Sequence, residues 1–291
     1  MTSKTKPKRL ELTNRDLHLM RTISSYGILT TKQLVEKIFR GVASTTVLRR
    51  LRALEAAGYI QRIVGLDSFE RCWFLTEKSK SKFGFAACKL HFPKAIIDHD
   101  VKLSTLRLKL EEHEISESWI PEHEIRSKVA RTHGLREASR KVIPDAIMGV
   151  DYLDFKRSVA IEVELSIKNQ KRYQEIFWDY EQKQTLMAVW YLVPNQSFVR
   201  QLLKARRNAH IMSRGPDLLF SEIDDVLTNG GKALVSDGRL SAEIERLWKP
   251  KTTIVPAHPG AQQVSGGSLE KSPLEIALTT ENTGKLLLHT G

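Results

Sequence analysis

Residues 158–167, S-V-A-I-E-V-E-L-S-I, alternate with a period of two and read as a strand. Val159, Ile161, Val163 and Leu165 take one face, and Glu162 and Glu164 share the other. Two carboxylates on an otherwise apolar strand are costly unless they are paired or bind a metal. The neighbourhood in sequence supplies further charges. Asp145 follows Pro144 on a strand expected over residues 142–150. Glu122 and Glu124 fall on a strand expected over 119–125, and Lys168 lies at the start of a helix expected over 169–184. A helix over 98–113, those three strands, that helix and a strand over 187–193 give an α/β order. Hard oxygen ligands converging from adjacent strands suit Mg²⁺ or Mn²⁺.

Charge divides the chain. The formal net charge is +12 over 291 residues. Residues 1–97 hold 19 Lys+Arg against 7 Asp+Glu, whereas residues 98–291 hold 27 of each. A basic module joined to a balanced one points to a polyanion partner for the first part. Length and a hydrophobic content of 41% suit two packed domains and exclude wholesale disorder. No run is long and apolar enough for a membrane span, so no membrane insertion is expected. Two cysteines, Cys72 and Cys88, build no disulfide scaffold, which suits a reducing cytoplasm.

Short elements fill the basic part after an arm at residues 1–11. A helix begins at Thr13 or Asn14 and stops at Gly27. A second begins at Thr30-Thr31, and a third runs from a Ser44 cap to about residue 57. Two strands, 59–64 and 71–75, make a hairpin, and a short helix follows to residue 83. Burying Val47, Leu48, Leu51 and Leu54 of the third helix leaves Thr45, Thr46, Arg49, Arg50 and Arg52 open. Hydroxyls and guanidiniums there match phosphates and guanine edges of double-stranded DNA. A connector over 86–97 precedes the second domain, 98–249. Residues 126–141 read as a basic loop, residues 218–220 as an edge strand, and residues 250–291 as a flexible tail.

The stretches T-T-V-L-R-R-L-R-A-L-E-A-A-G-Y-I-Q-R-I and R-C-W-F-L-T-E-K-S-K-S-K-F-G resemble the recognition helix and wing of winged helix-turn-helix domains, over residues 12–85. Pro144-Asp145 followed by Glu162-Val163-Glu164 resembles the PD-(D/E)xK nuclease signature, with Glu164 where that signature has lysine and Lys168 as a migrated replacement. With P-E-H-E-I-R and A-I-E-V-E-L-S-I-K-N-Q-K-R-Y, residues 12–195 resemble the replication-relaxation family and MobC-type mobilisation relaxases. The resemblance implies a restriction-endonuclease-like mixed-sheet domain behind the winged helix, and metal-dependent nicking of origin DNA of a plasmid or mobile element. It gives metal roles to Asp145 and Glu162, completed by Glu124 and Glu164, with Lys168 polarising the scissile phosphate. Mobilisation or secretion proteins are possible accessory partners. The alternative is a non-catalytic replication or transcription accessory protein whose nuclease-like domain is inactive.

Other residues carry plainer readings. His99 reads as a helix-start residue, with a ligand as its second reading. Tyr173 and Tyr180, seven apart on one helix face, read as core or rim rather than nucleophiles, and Trp178 and Trp190 read as core. No His-x-His pair, no P-loop and no zinc spacing occurs.

Overall fold

A capping box starts the first helix, α1 (Asn14–Tyr26): the Asp16 amide donates to Thr13 Oγ1 at 3.3 Å, and the Thr13 amide donates to Asp16 Oδ2 at 2.7 Å. Gly27 at φ +84° stops it. Strand β1 (Leu29–Thr30) leads into α2 (Thr31–Ile38), where Thr30 and Gln33 form a second capping box. Helix α3 (Ser44–Ala56) has Ala43 at its N-cap with no side-chain hydrogen bond, so Ser44 opens the helix instead of capping it. Strands β2 (Ile60–Val64) and β3 (Arg71–Leu75) pair antiparallel, with β1 on the far side of β3. Thr76 caps α4 (Glu77–Phe83), and Gly84 closes it in the left-handed conformation.

This computed structural model describes residues 10–64, 70–85, 88–152, 155–209 and 215–248. Most of the expected arm and the whole expected tail lie outside the described residues. The chain divides into two units. One takes residues up to Thr105 together with Pro121–Ser139, and the other takes Leu106–Ile120 and residues from Arg140 onward.

The helix expected from residue 98 begins earlier, as α5 (Lys94–Glu112), so His99 is inside a helix rather than at its start. Strand β4 (Ser118–Pro121) is short. Glu122 and Glu124 stand in the first turn of α6 (Glu122–His133), not on a strand. Pro121 explains the switch. It sits at the N-cap, where a missing N–H costs nothing, and two glutamates suit the positive helix start. The basic stretch expected as a loop is helical in α6 and α7 (Leu135–Arg140).

In the first unit one carboxylate joins two helices. Asp16, 1% exposed, caps α1 and also accepts from Arg50 on α3: Nε meets Oδ1 at 2.8 Å, and an Nη2 hydrogen bond meets Oδ2. Arg50 Nη2 also donates to the Glu11 carbonyl at 2.8 Å. Burial works to raise the Asp16 carboxyl, but Arg50 and the Thr13 donors outweigh it and hold it below the ordinary carboxylate value. Trp73, fully buried, donates from Nε1 to Thr31 Oγ1 at 2.9 Å.

In the second unit β5 (Ala146–Tyr152) and β6 (Phe155–Val163) pair antiparallel, and β6 runs parallel to β7 (Leu186–Val193). Helix α8 (Gln170–Glu181) makes the crossover between them, and α9 (Gln196–Asn208) the next one, to β8 (Asp217–Glu222). Beyond lie α10 (Ile223–Asn229), β9 (Leu234–Ser236), β10 (Ser241–Glu243) and α11 (Ile244–Trp248). The sheet has seven strands of mixed direction in the order β10-β9-β8-β7-β6-β5-β4, so the chain is a mixed α/β protein. Strand β8 is internal, not an edge, because the hairpin β9–β10 covers it. One sheet face packs Ala160, Val189, Tyr191 and Phe220 against Tyr173, Phe177, Val199 and Leu202 of α8 and α9. The Trp190 and Trp248 rings meet at 4.7 Å, edge to face.

Replacing Asp16 with alanine removes the cap and orphans the Arg50 guanidinium. Loss of a cap costs about 1 kcal/mol and breaking a buried pair about 3–5, tempered here by the half-exposed arginine. The expected loss is about 2–4 kcal/mol, read in the denaturant midpoint of the first unit. Arg50→Lys should recover only part of it, because an ammonium lacks the fork that meets both oxygens.

Candidate active site

The site forms where β5 begins and β6 ends. Antiparallel pairing sets Ala146 opposite Ile161, which brings Asp145 beside the last residues of β6. There the Val163 amide donates to Asp145 Oδ2 at 2.8 Å. Glu162 points to the α8 face, where Tyr180, 2% exposed, donates its phenolic O–H to Glu162 Oε1. Parallel pairing places Tyr191 of β7 opposite Glu162.

Glu164 lies just past the strand, not on it, although its amide still donates to the Leu192 carbonyl at 2.9 Å. Its carboxylate, 3% exposed, accepts from the Lys168 ammonium. Lys168 stands one residue before the Asn169 cap of α8, so it precedes the helix. Its amide donates to the Tyr173 hydroxyl at 3.1 Å, and its ammonium lies 5.9 Å from the Tyr173 ring centroid.

Burial pushes the Glu162 carboxyl up to about 8, and the charges of Asp145 and Glu164 add to the rise. The Tyr180 hydrogen bond and the Lys168 charge oppose it. Glu164 is raised too, by burial first, with Lys168 pulling the other way. Burial carries Tyr173 up to about 12 and takes Tyr180 and Tyr191 well above the ordinary phenol value. Glu162 therefore titrates in the range where a group gives and takes protons near neutrality.

Asp145, Glu162, Glu164 and Lys168 lie together at this end of β6, with Glu164 past the strand on which the sequence reading places it. Glu124 lies instead on α6, in the other unit, where its charge acts on Cys88. Among the described residues no group of three or more His, Cys, Asp and Glu is placed to hold a metal ion, so the expected cluster of three carboxylate ligands does not form. On α3, Thr45, Thr46, Arg49 and Arg52 are exposed, while Arg50 is engaged by Asp16. His99 lies 3.2 Å from Asp100 Oδ1, and Asp100 also takes the Lys89 ammonium at 2.6 Å. Trp190 is core, but Trp178 is 61% exposed and donates to the Ala209 carbonyl at 3.1 Å. The tyrosines are what the sequence reading left out of the site. Their one signal is the seven-residue spacing on a helix that directly follows the acidic strand.

No family model matches the chain, and no curated protein matches it. Solved structures with some likeness include the restriction endonuclease FokI, at 13% identity and a TM-score of 0.26, over 74% of this chain and 42% of that one. FokI bound to DNA gives 11% identity and a TM-score of 0.24, over 74% and 43%. The chain thus spans less than half the length of either. Among the described residues no helix is long and apolar enough to cross a membrane.

The elevated Glu162 value fixes the sign of a pH effect. The folded protein holds a proton there that the unfolded chain releases above about 4.5. That contribution to stability is fully present below about 4.5 and is lost as pH rises through about 8. Glu162→Gln, which carries no charge at any pH, should therefore gain in Tm relative to the parent between pH 5 and pH 9. A Tm difference that stays flat across that range would contradict the assignment.

Proposed function

We propose that the chain is a DNA-binding nickase that cleaves a phosphodiester with a divalent cation at Asp145 and Glu162, and that it serves as a mobilisation relaxase at the origin of a plasmid or mobile element. The observation that carries the reading is the convergence of Asp145, Glu162, Glu164 and Lys168 at one end of β6. Two neighbouring carboxylates, of which Glu162 is driven toward neutrality by burial first and by the charge of Asp145 second, are a donor set short of positive charge. Mg²⁺ commonly binds through one or two carboxylates and keeps its other positions for water and phosphate, so a pair of ligands suffices. When bound, Mg²⁺ or Mn²⁺ supplies Lewis-acid polarisation of the phosphate and an acidified water.

The protein's own residues do the rest. The Val163 amide fixes Asp145, and Tyr180 fixes Glu162. Lys168, 39% exposed, offsets Glu164 and presents an ammonium to an incoming phosphate. Three helices followed by a hairpin, with β1 completing a three-stranded sheet, support reading the first unit as a winged helix. Its exposed Arg49, Arg52, Thr45 and Thr46 would meet the duplex. A second reading, a non-catalytic replication or transcription accessory protein, draws on one observation. The only lysine in the cluster is ion-paired to Glu164, the residue standing where the nuclease signature has lysine.

Supercoiled DNA carrying the element's own origin, incubated with Mg²⁺ or Mn²⁺ and with EDTA, separates the two. Nicking that needs the cation and falls at least 100-fold in an Asp145→Ala, Glu162→Ala double variant is the expected result. Origin binding without nicking in either protein would select the accessory reading. The DNA-binding face has its own measurement. Arg49→Ala with Arg52→Ala should weaken binding and lower the slope of log affinity against log salt by about 2, since each lost phosphate contact removes about 1. The first unit's stability should be unchanged, because neither arginine is part of the Asp16 pair.

A further inference from the structure

Tyr173 and Tyr180 lie two helical turns apart, so both phenols leave α8 on the face that packs against the sheet. Both are 2% exposed. Phenylalanine would fill such places equally well, and an enclosed hydroxyl is costly unless it finds a partner. Tyr191 illustrates that cost, since its buried hydroxyl has no hydrogen-bond partner among the described residues. The Tyr180 hydroxyl has one: it donates to Glu162. Its ring is held from behind by Lys183, whose ammonium lies 4.5 Å from the ring centroid and donates to the Val142 carbonyl at 2.7 Å. Ring and hydroxyl are both fixed, and the carboxylate they address is the one that faces Asp145.

We propose that Tyr180 is a positioning residue that aims the Glu162 carboxylate at the cation site through its phenolic O–H. The inference rests on the reading of Asp145 and Glu162 as cation ligands. It excludes the phenol as a nucleophile, because the oxygen is enclosed and its O–H is engaged as the donor to Glu162. A donor behind a ligating carboxylate fixes which oxygen faces forward. Losing such a partner commonly costs 10–100-fold in metal affinity or activity. Tyr180→Phe removes the O–H and keeps the ring.

Mn²⁺ binding to the full chain, followed by the electron paramagnetic resonance of free Mn²⁺, tests the claim without relying on cleavage. Tyr180→Phe should bind Mn²⁺ 10–100-fold more weakly than the parent. Tyr152→Phe, which removes the hydroxyl of a buried tyrosine at the opposite end of the β5–β6 hairpin, should bind as the parent does. A thermal cycle of Tyr180→Phe, Glu162→Leu and the double variant reads the contact without metal, and the two Tm changes should fail to add. Additive changes overturn the proposal whatever the cation does. Parent-like Mn²⁺ affinity in Tyr180→Phe, or an equal loss in Tyr152→Phe, overturns it and leaves the cation site standing. A parent that binds Mn²⁺ no better than the Asp145→Ala, Glu162→Ala variant ends the cation reading instead, and the cycle alone then decides whether Tyr180 positions Glu162.

Discussion

Taking Glu162 and Glu164 out of water costs several kcal/mol per ion unless other groups compensate, and the second unit supplies compensation from both ends of α8. Lys168 comes from the turn before α8 and pairs with Glu164, and Tyr180 comes from its last turn and donates to Glu162. The compensation is unequal. Glu164 has a full counter-charge, whereas Glu162 has only a phenol and the more distant Lys168. The remaining deficit appears as the raised Glu162 carboxyl. A site left short of positive charge in this way attracts a cation or a proton.

The first unit solves a smaller version of the same problem. Its positive charge exceeds its negative charge by 12 over residues 1–97, so any buried carboxylate there finds a cation readily. Asp16 takes Arg50, and the pair locks α1 to α3. The consequence is a division along one helix. Arg50 is engaged by Asp16, while Arg49 and Arg52 stay exposed. Three arginines in four positions are therefore not equivalent, although nothing in their spacing separates them.

Periodicity revealed the strands well because their faces differ. Residues 158–163 alternate cleanly, and the apolar run of β7 is buried almost throughout. Caps were legible where a threonine has a clear partner, as at Thr13 and Thr30. The failures have local causes. Pro121 ended a strand and began a helix within one residue, which moved Glu122 and Glu124 off the sheet. The hairpin β9–β10 has strands of three residues, too short for a period to register, and its absence from the sequence reading made β8 look like an edge. The Asp16–Arg50 pair spans 34 residues, and the Tyr180–Glu162 contact depends on how α8 lies over the sheet. Contacts of that kind carry no local signature. Asp145, Glu162, Glu164 and Lys168 were legible because they flank recognisable elements.

Topology explains why those elements place their ends together. Strand β6 is antiparallel to β5 and parallel to β7, so the sheet changes direction there, as it does again at β8. Antiparallel pairing sets the beginning of β5 beside the end of β6, which joins Asp145 to Glu162. The parallel partner requires a crossover, and the chain must leave β6 at that same edge to enter α8, which carries Glu164, Lys168 and Asn169 past the site. The parallel register then returns β7 with Tyr191 opposite Glu162, and α8 lays Tyr173 and Tyr180 over the edge from above. In open sheets of this kind the carboxyl ends of parallel strands are the usual place for ligands. Here the antiparallel strand adds an acid from its amino end. A purely parallel sheet would put the start of β5 at the opposite edge and separate Asp145 from Glu162 by the length of the strand. The mixed direction of the sheet is therefore what turns three acids and a lysine, spread over residues 145–168, into one site.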